Sequence, residues 1–206
     1  MLRTVAGRLI ATGRLGLLPA AFNPPTVAHV AIGDAAQARF ALDQVAFVLC
    51  EAMPHKRIRR PGPETRLRWL SAIARGRPDR AVTSCGAGLM IDIVKAFRAE
   101  LGPACELYVI AGRDAAERCA GWDYGDGMPF AEQLRHYRLL VASRDGDYRV
   151  PARHAGRILP FGIDAGYDVA SSSAVRGAVR TGAPWGHIVP APIRDAVGAA
   201  YGEIRT

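Results

Sequence analysis

The sequence predicts an α/β fold, a doubly wound parallel sheet. Three observations point there. Short apolar runs alternate with stretches of helical spacing, the order expected of repeated βαβ units. The runs Val45-Ala46-Phe47-Val48-Leu49 and Leu107-Tyr108-Val109-Ile110 are continuously apolar, as strands covered on both faces must be. The chain has 206 residues, half of them hydrophobic, enough for one sizeable core, and no long polar linker divides it.

Each element follows from its pattern. Residues 1–14 read as an N-terminal extension to a single domain spanning 1–206. Met1 to Ala21 mimics a secretory leader, but Arg8 and Arg14 interrupt its apolar stretch, so the segment reads as mature protein. Leu15–Leu18 is the first strand, and it runs into the turn Asn23-Pro24-Pro25. Two prolines suit the approach to a helix rather than its interior, so a helix is expected over Thr26–Phe40. Gln44–Cys50 is a buried strand, and Glu51–Pro63 is a polar loop carrying Pro54, His55, Lys56 and Arg57. Leu67, Leu70 and Ile73 space a helix over Glu64–Arg75, and Ile91, Val94 and Phe97 stripe another over Met90–Leu101. Strands are expected at Ala81–Ser84, Glu106–Ala111, Tyr137–Ala142 and Arg157–Phe161. A loop rich in Gly, Trp and Asp spans Ala120–Pro129, and helices close the chain at Ser172–Thr181 and Ala191–Tyr201.

Composition narrows the partners. Twenty-seven Lys and Arg against 19 Asp and Glu give a formal charge of +8, which favours anionic ligands. The cations are scattered without a basic run or stripe, so no nucleic-acid partner is expected. Nothing approaches the apolar length of a membrane span. The four cysteines, Cys50, Cys85, Cys105 and Cys119, show no metal-ligand spacing. Cys50 sits in an apolar run as a small core residue, which fits a reducing compartment and a cytoplasmic location. Oligomeric state is not legible.

Two constellations carry candidate chemistry. Thr26 and His29, three apart at a helix start, share one face where unpaired backbone N–H groups and the helix dipole attract phosphate. Ser171-Ser172-Ser173-Ala174-Val175-Arg176 opens a second helix with hydroxyl donors and places a guanidinium on the first turn, where a bound polyanion would relieve the conflict with the dipole. Each alone also reads as an ordinary capped helix start. Gly112-Arg113-Asp114 follows a strand's carboxyl end, where open α/β sheets bind ligands, though Asp114 equally suits a helix cap. Trp122 lies in a Gly- and Asp-rich loop and suits either a stacking plate or an anchor, whereas Trp69 and Trp185 read as core aromatics. His136, His154 and His187 have no partner pattern. No P-loop, dinucleotide glycine fingerprint or serine elbow occurs.

Taken together, the motifs resemble a known family. Ala20-Ala21-Phe22-Asn23-Pro24-Pro25-Thr26-Val27-Ala28-His29 resembles the H/T-x-G-H signature of the nucleotidyltransferase superfamily, and Ala170–Arg176 resembles its I-S-S-T-x-I-R motif. Pro54-His55-Lys56 with Arg66, Ala111-Gly112-Arg113-Asp114, Trp122 and Ile188-Val189-Pro190 resemble segments of bacterial nicotinate-mononucleotide adenylyltransferases. The resemblance implies a Rossmann-like nucleotidyltransferase fold. It implies adenylyl transfer from ATP to nicotinate or nicotinamide mononucleotide in NAD biosynthesis, with Mg²⁺ bound through the ATP phosphates and no protein metal ligands. It assigns catalytic roles to His29, Thr26, Arg176 and Lys56. ATP would meet Ala21, Phe22, Asn23, Gly112, Asp114, Ser171, Ser172 and Ser173, and the mononucleotide would meet Trp122, Leu89 and Met90. The chain departs from the pattern at Ala20 and Ala21, which replace glycines, and at Gly86–Asp92, which keeps Asp92 but lacks the hydroxyl residues. Acid or amide mononucleotide, another phosphate acceptor, and a non-catalytic nucleotide-binding regulator therefore stay open.

Overall fold

The computed structural model describes all residues except 54–57, 59, 144–147, 168 and 203–206. Seven strands form one sheet: β1 (Leu2–Ala6), β2 (Gly13–Ala20), β3 (Gln44–Cys50), β4 (Arg80–Cys85), β5 (Cys105–Gly112), β6 (Arg138–Ser143) and β7 (Ile158–Gly162). Their spatial order is β1-β4-β3-β2-β5-β6-β7. Strands β2 to β7 run parallel, and β1 joins β4 antiparallel at one edge. Residues 2–6 thus form a strand where the sequence reads as an extension. Three of those five residues are exposed, so no apolar alternation marks them.

The helices are α1 (Val27–Phe40), α2 (Pro63–Ala74), α3 (Met90–Leu101), α4 (Arg113–Ala120), the single turn α5 (Phe130–Gln133), α6 (Ser172–Thr181) and α7 (Arg194–Gly202). The two faces of the sheet are read directly in β3. Val45, Phe47 and Leu49 pack with Ile32 and Ala36 of α1 and Leu67 and Leu70 of α2. Ala46, Val48 and Cys50 pack with Ile93, Val94 and Phe97 of α3 and Ala116 of α4. Alternate residues of a central strand serve opposite layers, so the run must be apolar throughout. At Gly16 in β2 a Cβ would come within 2.8 Å of the ends of both the Leu42 and Ile110 side chains, so a larger residue there would make both shift.

A third apolar cluster joins α6 and α7 to Ala28 of α1 and Trp69 of α2. It seats the start of α6 against the start of α1. The opposite, amino end of the sheet is held by charge. Arg80, 1% exposed, pairs with Asp34 of α1 and with Asp79 (2.8 Å), and it donates to Gln37. Arg77 bonds Asp34 at 2.9 Å and Asp79 at 3.0 Å.

The strand order reverses about β2: its neighbour on one side is β3, reached through α1, and on the other β5. That is a topological switch point, the place where an open α/β sheet leaves a crevice beyond the strand carboxyl ends. The turn after β2 and the turn after β5 face this crevice. Among the described residues no helix is long and apolar enough to cross a membrane.

Candidate active site

The turn Ala21–Thr26 leaves β2 and is gripped from several sides. Phe22 takes a left-handed backbone (φ 46°), a conformation bulky side chains avoid. Its ring is buried against Phe47 (centroids 5.8 Å apart) and lies 5.0 Å from the His29 ring, so packing holds the backbone there. The Asn23 side chain accepts from the Tyr201 hydroxyl of α7. Arg66 of α2, 3% exposed, donates to the Ala21 carbonyl at 2.7 Å. Burial draws the Arg66 guanidinium below its ordinary pKa, opposed by Tyr201, Cys50 and Glu51.

His29 lies on the first turn of α1, and Thr26 is the helix cap. The Thr26 backbone N–H donates to His29 Nδ1 at 3.1 Å. A ring nitrogen that accepts carries no proton, so the neutral imidazole holds its hydrogen on Nε2. The Thr26 hydroxyl lies 2.7 Å from the same Nδ1 and 3.3 Å from the Ala170 carbonyl. Thr26 is wholly buried (0% exposed), with its hydroxyl against His29 and Ala170.

The start of α6 is bonded to this turn. Ser172 Oγ donates to the Pro24 carbonyl at 2.8 Å, and Arg176 Nη1 donates to the Asn23 carbonyl at 2.6 Å. Arg176 Nη2 also reaches Ser173 Oγ at 3.1 Å, while Ser171 caps α6 by accepting from the Ala174 N–H at 3.0 Å. The amino ends of α1 and α6, 145 residues apart by their caps Thr26 and Ser171 (171 − 26), therefore lie side by side. Together they offer backbone N–H groups, an imidazole and a guanidinium to one place, an arrangement suited to a polyphosphate. Guanidinium has five N–H donors, so two bonds leave Arg176 capacity for a ligand.

Beside the turn, a cleft of about 600 Å³, open solvent included, lies beyond the carboxyl ends of β2 and β3. Leu89, Met90 and Trp122, expected to meet one ligand, all line it. Its other wall is a face of α4: Ala115, Arg118 and Cys119 recur with Trp122 at helical spacing. That stripe, and Tyr124 beyond it, escaped the sequence reading, although the spacing from 115 to 122 carries the signal. Cys50 and Cys119 also line the cleft. Burial, with Cys85 adding and Arg66 opposing, pushes the Cys50 thiol up to about 12, and burial likewise raises Cys119, so both remain neutral thiols. Gly112 caps α4 at the end of β5, and Asp114 is exposed on the first turn of that helix. Lys56 lies outside the described residues.

Known proteins are similar to this chain in sequence and in fold. A chain from Moorella thermoacetica named probable nicotinate-nucleotide adenylyltransferase is 26% identical, covering 89% of this chain and 88% of its own length. One of the same name from Solibacter usitatus is 30% identical, covering 68% and 74%. Among solved structures, the Plasmodium falciparum nicotinic acid mononucleotide adenylyltransferase complexed with NaAD superimposes with a TM-score of 0.74. It covers 92% of this chain and 96% of its own at 14% identity, a likeness of fold. The nucleotidyltransferase form of the Rossmann-like fold is thereby shared. The cytidylyltransferase-like family matches residues 17–178, from within β2 through the turn, the cleft and most of α6, and the chain belongs to that family.

Proposed function

We propose that this chain is an adenylyltransferase of NAD biosynthesis, joining ATP to nicotinate or nicotinamide mononucleotide with release of pyrophosphate. One observation carries the reading: two bonded helix amino ends lie next to an apolar cleft with an aromatic wall. The first suits a triphosphate and the second a flat pyridine ring. The relatives named above support the same reaction.

The reaction asks little covalent chemistry of the protein. The 5′-phosphate of the mononucleotide is already anionic at neutral pH, so no general base is required. Its oxygen attacks the α-phosphorus in line, the bond to the β-phosphate oxygen breaks, and pyrophosphate leaves with that electron pair. Catalysis is then alignment and stabilisation of developing charge. His29 Nε2–H, fixed by Thr26, donates to the α- and β-phosphates. Arg176, with Ser171 and Ser173 beside it, holds the β/γ side, and Ser172, whose hydroxyl is given to the Pro24 carbonyl, offers its backbone N–H there. The backbone of Ala21, Phe22 and Asn23 faces the phosphates. Gly112 and Asp114 border the adenosine ribose. Leu89, Met90 and Trp122 enclose the pyridine ring, and Lys56 adds charge near the phosphates.

Magnesium would enter with ATP, held through the phosphate oxygens, and would screen their charge. The whole chain acts as one nucleotidyltransferase domain, and its free thiols suit the reducing cytoplasm. The test is direct: incubate the protein with ATP, Mg²⁺ and a panel of mononucleotides and weigh the products. A dinucleotide from a pyridine mononucleotide is expected. ATP consumption only with a different phosphate acceptor, or binding of ATP without pyrophosphate release, would overturn the assignment.

A further inference from the structure

The cleft beside Trp122 has an uneven chemistry. Most of its wall is apolar: Pro19, Met53, Leu89, Met90 and Ile93 are typical. Among the described residues that line it, Arg118 is the one ionic side chain, and no carboxylate shares the wall. Arg118 stands on the cleft-facing stripe of α4, one turn before Trp122.

We infer that Arg118 reads the substituent of the pyridine ring, selecting the carboxylate of nicotinate mononucleotide over the carboxamide of nicotinamide mononucleotide. The inference rests on reading this cleft as the pyridine site. Guanidinium is a pure donor whose fork matches a carboxylate with two parallel hydrogen bonds. A carboxamide offers it one acceptor oxygen and turns an NH₂ group toward other N–H donors.

Other nearby groups are poorly placed to do the same. The Tyr124 hydroxyl has one hydrogen, and it donates to the Cys119 carbonyl at 3.0 Å. The segment Gly86–Asp92 contains no hydroxyl side chain. Its Asp92 is exposed and would repel an anion. The field of Arg118 is felt at the cleft wall, where it opposes the rise that burial imposes on the Cys119 thiol.

The experiment compares kcat/KM for the two mononucleotides in the wild-type protein, Arg118→Met and Arg118→Lys. The methionine keeps most of the stem, and a thermal melt checks the fold. Arg118→Met should lower kcat/KM for the acid roughly 10- to 100-fold, as expected for loss of a charge-assisted pair, and leave the amide within a few-fold. Arg118→Lys should restore much of the acid preference. An unchanged acid-to-amide ratio, or an equal fall for both, overturns the role of Arg118 while leaving the adenylyl-transfer reading in place. Calorimetry with each mononucleotide reads the same preference without turnover. Wild-type protein that binds neither would overturn the reading of the cleft itself, and this inference with it.

Discussion

Two buried arginines mark the two ends of the sheet, and they are treated differently. Arg80, at the amino end of β4, is 1% exposed and meets two carboxylates and an amide oxygen. Arg66, at the carboxyl end, is 3% exposed, and among the described residues it forms no salt bridge. It donates to one backbone carbonyl, that of Ala21. Among the described residues, both leave Nε without a hydrogen-bond partner. A buried charge without a counter-ion is costly, and folds rarely keep one for stability alone. The amino end is neutralised because nothing further is needed there. At the carboxyl end no salt bridge among the described residues neutralises Arg66, and there the proposed reading brings a triphosphate.

The comparison can be tested hardest at His29. His29→Ala should reduce kcat roughly 100- to 1000-fold, the usual loss for a transition-state donor, with the fold retained. An unchanged kcat in a stopped assay would remove the imidazole from the reaction. Next in size, Arg80→Met should cost about 2 kcal/mol in urea unfolding, since Asp34 and Asp79 lose their buried partner and keep only Arg77, and should leave KM for ATP alone below the melting range. A variant as stable as the parent would mean the network holds nothing. Trp122→Ala should raise KM for the mononucleotide about tenfold, equivalent to the stacking energy of one base on one ring, with kcat nearly preserved. A fall in kcat at constant KM would make Trp122 an anchor instead.

Arg66→Met sharpens the contrast between the two ends. Replacing a buried cation that makes no salt bridge among the described residues by an apolar side chain should change stability by less than about 1 kcal/mol, yet weaken ATP binding several-fold in titration calorimetry. A loss of stability as large as that of Arg80→Met would erase the distinction. The smallest effect concerns acid. Burial works to raise the Asp79 carboxyl, but the Arg77 hydrogen bond and the charges of Arg80 and Arg77 outweigh it and hold the pKa below its usual 3.8. A depressed carboxylate pKa contributes stability that is present above the unfolded value and lost as pH falls through the folded one. Urea midpoints should therefore decline below about pH 4 more steeply in the wild type than in Asp79→Asn, which has no proton to gain.

Much of the fold was legible because it is local. Gln44–Cys50, Met90–Leu101 and Ser172–Thr181 fall where their patterns place them, and the parallel order follows from the alternation of strands and helices. What the sequence hides is long-range or weakly patterned. The strand over Leu2–Ala6 is mostly solvent-facing, so nothing apolar repeats along it. Tyr201 reaches Asn23 across 178 positions, and no local signal can announce that bond. In the site, the phosphate-facing motifs stood out because chemistry restricts them to few residue types. The wall made by Ala115, Arg118 and Cys119 did not, because a short helix with one apolar stripe resembles any other surface helix. Thr26 stood out by residue type, whereas the contact of its hydroxyl with the Ala170 carbonyl, 144 positions away, follows from packing alone.

The antiparallel strand at the sheet margin has a consequence for handling the protein. Its pairing from Leu2 with Cys85 to Ala6 with Val82 covers backbone donors of β4 that would otherwise stand open. At the far margin β7 carries Pro160, which cannot donate. Trimming the first dozen residues would keep every group proposed to touch substrate, yet expose a bare ribbon edge to neighbouring molecules. Such a shortened protein should lose solubility on concentration before it loses turnover.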